Sequence, residues 1–196
     1  MKKIVSNIIA IIAFTVGIGM GFRYVYLVAQ KEIYPALTTW ILFCVAVSLS
    51  FRTYWSSRKH SIVGNLANFV DLILVWIILV GILLFGQNVN LIFRPFEIWC
   101  LISSGIVLLF WILSKKHLLS NLLLQVIMTV AYFPTIYNLW YATNNTESFS
   151  VWCVWLIGGF TSLIIAILKK DTLGIVYSSR AFVLVSIILI LMLRIT

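Results

Sequence analysis

With 196 residues, 63% of them hydrophobic and only 10% charged, and a mean hydropathy of +1.12, the chain has too little polar surface to coat a water-soluble globule. Lipid must be its solvent. The net charge of +9 does not point to nucleic acid, because the basic residues are shared among alternate loops and form no single patch.

Seven apolar stretches are predicted to span the membrane as helices, at 4–22, 36–51, 62–84, 96–113, 118–141, 149–168 and 173–193. Most reach the roughly 20 residues that cross a ~30 Å hydrocarbon layer at ~1.5 Å per residue. The first follows Lys2 and Lys3, but it is as long as a full span and no A-x-A-like site comes after it. It reads as a span and not as a secretory leader. Its Gly17, Gly19 and Gly21 are spaced to let another helix approach closely. The second span is short and is expected to borrow flanking residues such as Tyr34 and Tyr54. The third carries Asn65, Asn68 and Asp71; the fifth carries Pro134, which removes a backbone donor and can act as a kink or hinge. The sixth carries Trp152, Trp155 and the Gly158-Gly159 pair, and the seventh Tyr177, Ser178, Ser179 and Arg180. Connections are short, and Cys44, Cys100 and Cys153 fall inside spans as small packing residues.

Starting from the N-terminus, alternate loops hold nine basic residues: Lys2, Lys3, Arg52, Arg58, Lys59, Lys115, Lys116, Lys169 and Lys170. The opposite side holds four, Arg23, Lys31, Arg94 and Arg194. That bias puts the N-terminus in the cytoplasm and the C-terminus outside, in a multi-pass protein of the cell (inner) membrane.

One pattern occurs twice at an offset of 112 residues: Trp40 falls on Trp152, Phe43 on Trp155, Arg58 on Lys170 and Lys3 on Lys115. The offset matches spans one to three to spans five to seven and leaves the fourth unpaired. The expected plan is 3+1+3, with a first three-helix repeat at 1–88, a linker helix at 89–114 and a second repeat at 115–196. An odd linker makes the repeats parallel, and parallel repeats enclose a site between them.

The segment 132–152, which opens Tyr132-Phe133-Pro134-Thr135 and closes Glu147-Ser148-Phe149-Ser150-Val151-Trp152, is similar to a PQ-loop motif. That motif has a proline late in one helix, a short polar loop with a Ser/Glu element, and a tryptophan in the next helix. Pro35-Ala36-Leu37-Thr38-Thr39-Trp40 is its degenerate first copy. With the 3+1+3 plan, the chain resembles the SWEET/PQ-loop superfamily, and within it a small bacterial seven-helix member. Members of that superfamily include sugar facilitators, lysosomal amino-acid exporters, nicotinamide riboside transporters and the KDEL receptor. The glutamine of the PQ pair is Thr135 here, and Tyr177 or Ser178 stands where the sugar facilitators carry an asparagine.

Asp71 is the sharpest single signal. It lies about nine residues into its span, roughly 14 Å at helical rise. A carboxylate at such a depth costs on the order of 2.5–3.5 kcal/mol to insert, so it must face the bundle interior or water. Arg180 falls within about a turn of the same depth in parallel repeats. Three readings stay open: a structural Asp71–Arg180 pair, a charged pair gripping a polar solute, or an Asp71 that takes up a coupling proton. Asn65, Asn68, Tyr177, Ser178 and Ser179 extend a polar stripe on both matched spans, as substrate ligands or as interhelical hydrogen bonds. Trp40, Trp152 and Trp155 are either headgroup anchors or an outer aromatic gate.

No paired carboxylates, H-E-x-x-H, G-x-S-x-G or phosphate-cradling loop suggest an enzyme, a cofactor or a metal. The expected function is a transporter or facilitator of a small polar solute, with or without a proton, that alternates access between its two repeats. A receptor or interaction protein on the same fold is the alternative. Its partners are the solute and the lipid bilayer, as a monomer or homo-oligomer.

Overall fold

The structure, a computed structural model, describes residues 2–55, 66–86, 93–114, 117–168, 170 and 172–195. They form helices α1 (Lys2–Ala29), α2 (Leu37–Trp55), α3 (Leu66–Phe85), α4 (Pro95–Leu113), α5 (His117–Tyr141), α6 (Phe149–Leu168) and α7 (Thr172–Ile195). No strand occurs among the described residues. Asn65 lies outside them, as do Arg58, Lys59, Lys115, Lys116 and Lys169 of the basic loops.

Five helices hold windows long and apolar enough to cross a membrane: Asn68–Phe85, Pro95–Leu113, Leu119–Tyr141, Phe149–Leu168 and Gly174–Ile195. The apolar runs in α1 and α2 are shorter, Thr15–Ala29 and Leu37–Thr53. On α4, Trp99, Ile102, Ile106, Leu109, Phe110, Ile112 and Leu113 are all exposed. An apolar face of that extent belongs in lipid. The chain is therefore an all-helical protein with the surface of a membrane-embedded one.

Two helix ends differ from expectation. The first helix runs beyond residue 22 to Ala29, because Tyr24 and Val28 are core side chains that the continued helix buries. It stops where Lys31 turns left-handed at φ 65°, with Lys31 N–H donating to Val28 O and Glu32 N–H to Leu27 O. That pairing closes the orphan carbonyls of a helix C-terminus. The second helix takes in Tyr54, while Tyr34 stays outside it and exposed. Helix α4 starts cleanly: Pro95 sits in its first turn, and Glu97 Oε2 accepts a 2.8 Å bond from Arg94 N–H.

Helix α3 packs against both α1 and α2, and α7 against both α5 and α6. Between the two groups, α2 lies on α5 and α1 touches α6; α4 lies on α5 and reaches α2. The core along these seams is apolar, with Tyr24, Trp40, Ala46, Ile78, Met128 and Ile188 among its most buried members. Cys44, Cys100 and Cys153 are free thiols in or beside it. Of the first-span glycines, Gly17 faces Val70 and Gly21 faces Leu74, whereas Gly19 has nothing within 4 Å.

Gly81 marks the tightest approach of α3 to α1. A methyl group there would collide with the side chain of Val25, coming within 3.0 Å even of its Cβ. Valine is stiff at χ1 and cannot swing away. Gly81→Ala is expected to cost about 1–3 kcal/mol by overpacking. Adding Val25→Ala should recover most of it, and thermal unfolding of the two variants checks both.

Candidate functional site

The helix packing brings the rare charged and polar side chains of α3, α5 and α7 together inside the bundle. Asp71 of α3 accepts a 2.7 Å hydrogen bond at Oδ2 from Tyr177 Oη of α7. Three residues further along α7, Arg180 lays its guanidinium 5.2 Å from the Tyr177 ring centroid and 5.8 Å from that of Tyr132. Its Nε donates to Gln125 Oε1 at 2.9 Å, and Nη2 donates to the Met128 sulfur at 3.4 Å. Nη1 is buried with no partner. Asp71 and Arg180 thus meet through Tyr177. No direct ion pair joins them among the described contacts: the carboxylate takes the Tyr177 hydroxyl and the guanidinium lies over its ring.

Asn68 stands one helical turn before Asp71 and is buried. Its Nδ2 donates to Ser50 Oγ of α2 at 3.1 Å, and its Oδ1 is buried without a partner. Ser178 is buried beside Tyr177, while Ser179 turns back to bond Val176 O on its own helix at 3.2 Å. Ser179 is therefore satisfied locally and adds nothing to the cluster. Asn65 lies outside the described residues. Asp71, Tyr177 and Arg180 all retain partial exposure. The cluster has one cation, one anion, a free donor at Arg180 and a free acceptor at Asn68. Such a set suits a small solute carrying both acceptors and donors.

Towards one end of the bundle the polar cluster is covered by aromatic rings. At this end the α1–α2 and α5–α6 connections meet, with Tyr34 N–H donating to Thr146 O at 2.9 Å. Trp40 packs against Tyr24 at 5.1 Å, Trp155 at 5.6 Å and Phe43 at 5.9 Å between centroids. Trp152 stands edge-on to Trp155 at 4.7 Å. Trp40 and Trp152 are each 1% exposed, which rules out headgroup anchoring for both. Among the tryptophans whose side chains are described, Trp76, Trp99 and Trp140 are exposed.

Tyr132 connects the two layers. Besides meeting Arg180, its ring stands 4.7 Å from Phe43 and 6.2 Å from Trp152. Beside it Pro134 is buried in an α5 that continues as helix through it. Thr135 Oγ1 and Thr39 Oγ1 of α2 share a hydrogen bond at 2.9 Å, both fully buried. Thr135→Val should cost about 1–3 kcal/mol, because Thr39 loses its partner in a dry seam. Replacing both threonines by valine should cost less than that single change. A double-mutant cycle read by thermal unfolding checks it.

Gln125, Tyr132, Tyr24 and Glu147 are site residues that the sequence reading did not single out. An amide in an apolar run and a phenol beside a proline are ordinary in membrane helices, so neither is a signal until the fold supplies a cation beside it. No protein-family model, no curated protein and no solved structure matches this chain.

Proposed function

We propose that the chain is a seven-span transporter or facilitator of a small polar solute, built from two parallel three-helix repeats around the Asp71–Tyr177–Arg180 cluster. The observation that carries this reading is a polar cluster inside the bundle with an unused donor and acceptor, lying beneath an aromatic layer to which both halves contribute. An intramembrane ionisable group marks a solute or proton path by default, since its insertion is otherwise a cost without return.

The repeat reading draws support from the packing. Exchanging α1–α3 for α5–α7 maps the α1·α6 contact onto α5·α2, and α3 between its neighbours onto α7 between its own. The 112-residue offset also takes Asn68 onto Arg180, so one polar position recurs in both halves. Rocking the halves about that position would open the cluster to each side in turn. The charge bias of the loops assigns the aromatic end to the outside of an inner membrane. In that orientation the structure corresponds to a form closed outwards.

The same covered end suits the second reading, a receptor with one accessible face. A thermal-unfolding screen of purified protein against sugars, amino acids, nucleosides and vitamins separates solute from no solute. A solute that stabilises the wild type and not Asp71→Asn supports transport through this cluster, because ligand bound to the native state raises stability by mass action. If Asp71→Asn is destabilised and no solute moves either form, the receptor or interaction reading takes over.

A further inference from the structure

A buried carboxylate lies away from the polar cluster, at the aromatic end. Glu147 sits in the α5–α6 connection and is 4% exposed. Its Oε2 accepts two hydrogen bonds, from Tyr24 Oη of α1 at 2.6 Å and from Trp152 Nε1 of α6 at 3.0 Å. Its backbone N–H is held by Asn145 Oδ1 at 3.0 Å. The carboxyl therefore ties α1 to α6 across the seam between the two halves. Both donors are neutral, and they belong to the rings that form the covering layer: Tyr24 against Trp40, and Trp152 against Trp155.

No cation answers this carboxylate among the described contacts. The nearest basic side chain in α1, Arg23, donates its Nε to Ser150 Oγ at 3.1 Å and is exposed. In the α1–α2 connection, Lys31 and Glu32 are exposed to solvent. The side chains gathered there from α2, α5 and α6 are Trp40, Tyr132 and Trp152, with Ser148 of the connection and Ser150 of α6 beside them, none of them charged. A carboxylate in such a place is desolvated with no counter-charge, and the neutral acid is the form that burial favours.

We propose that Glu147 is a proton-binding latch: closing the α1–α6 seam takes up one proton at its carboxyl from water at that end, and opening the seam returns it. The neutral acid keeps Oε2 as acceptor for Tyr24 and Trp152, so the seam remains tied. Ionisation keeps those bonds and makes them stronger, but it leaves a charge that only water can solvate fully, and parting the rings admits that water.

The direction of the shift agrees with this geometry. Burial raises the Glu147 carboxyl and the bonds from Tyr24 and Trp152 pull it only part of the way back, which leaves it at about 7 against an ordinary 4.5. An open, hydrated seam restores the ordinary value. The group's contribution to closure is thus complete below the ordinary carboxylate range and is lost as pH rises through about 7. Between pH 6 and pH 8.5 the closed-to-open ratio should fall about tenfold. The latch rests on reading the aromatic layer as a gate, yet its readouts involve no solute. It can fail while solute transport stands, and it can hold if no solute is ever found.

The test uses the full chain in lipid nanodiscs. First, pH-difference infrared spectroscopy should find a protonated carboxyl that titrates near neutrality and is absent from Glu147→Gln. Second, Ser148→Cys, at a buried position beside the latch, is labelled with a bulky water-soluble maleimide, with the parent chain as background. The rate in the Glu147-containing chain, divided by the rate in Glu147→Gln at the same pH, cancels the thiol's own titration. That ratio should rise about tenfold from pH 6 to pH 8.5. A flat ratio, or a Glu147 already ionised at pH 5, overturns the proposal. Should Glu147→Gln not fold, Tyr24→Phe decides: losing a donor to the ionised form must move the infrared midpoint to higher pH, and an unmoved or lowered midpoint overturns the latch.

Discussion

On the transporter reading proposed above, Asp71→Asn is expected to lower solute uptake by about 10- to 150-fold while the protein still folds. The magnitude is that of a hydrogen bond to a charged group, about 1.5–3 kcal/mol, converted at about 1.4 kcal/mol per tenfold. The fold should survive because the asparagine Oδ1 can still accept from Tyr177 Oη, which bonds only one carboxylate oxygen in the native protein. What the variant loses is the negative charge facing Arg180 through the Tyr177 ring. Uptake into proteoliposomes, read beside the thermal midpoint, separates the two effects. Uptake unchanged from wild type would remove Asp71 from the solute path.

The largest loss of stability is expected at Trp152. Its indole is 1% exposed, stands against Trp155 and Tyr132, and donates Nε1–H to Glu147. Truncation to alanine removes a large buried ring from the seam where α5, α6 and the Glu147–Tyr24 tie to α1 converge, and should cost about 3–5 kcal/mol. Trp152→Phe keeps most of the packing and deletes the N–H, so its cost should be nearer 1 kcal/mol, the usual net worth of one hydrogen bond. Thermal unfolding of the two variants in the same detergent gives the difference. Equal losses would mean that the hydrogen bond, and not the ring, holds the seam.

The helices were legible because apolar length is a direct consequence of the solvent: stretches such as 96–113 and 149–168 have nowhere but lipid to bury their side chains. Asp71 and Arg180 were legible for the opposite reason, since charge at that depth is too costly to be incidental. Their relation was not. Depth alone brought them together as a pair, whereas Tyr177, one turn before Arg180, inserts its ring and hydroxyl between them. Side-chain direction around a helix decides that, and sequence spacing carries it only loosely. Gln125 carries no signal in the sequence, because a lone amide among leucines has no pattern to mark it. Glu147 stands in a polar loop, where a glutamate is ordinary; its role depends on Tyr24, 123 residues away, folding over it. The aromatic layer lay between these cases. Its repetition at a fixed offset was visible, but headgroup anchoring and gating predict the same residues and differ only in burial.

The most direct test of the account asks whether the polar cluster meets water from both sides of the membrane. Ser178→Cys puts a thiol beside Tyr177, at a position buried in this structure. In sealed vesicles of known orientation, a membrane-impermeant thiol reagent is applied from one side or the other. Transport by alternating halves predicts labelling from each side, with solute changing the two rates in opposite directions. Labelling from the α6–α7 side alone, at every pH and with every solute tried, would contradict transport and leave a receptor closed at its aromatic end.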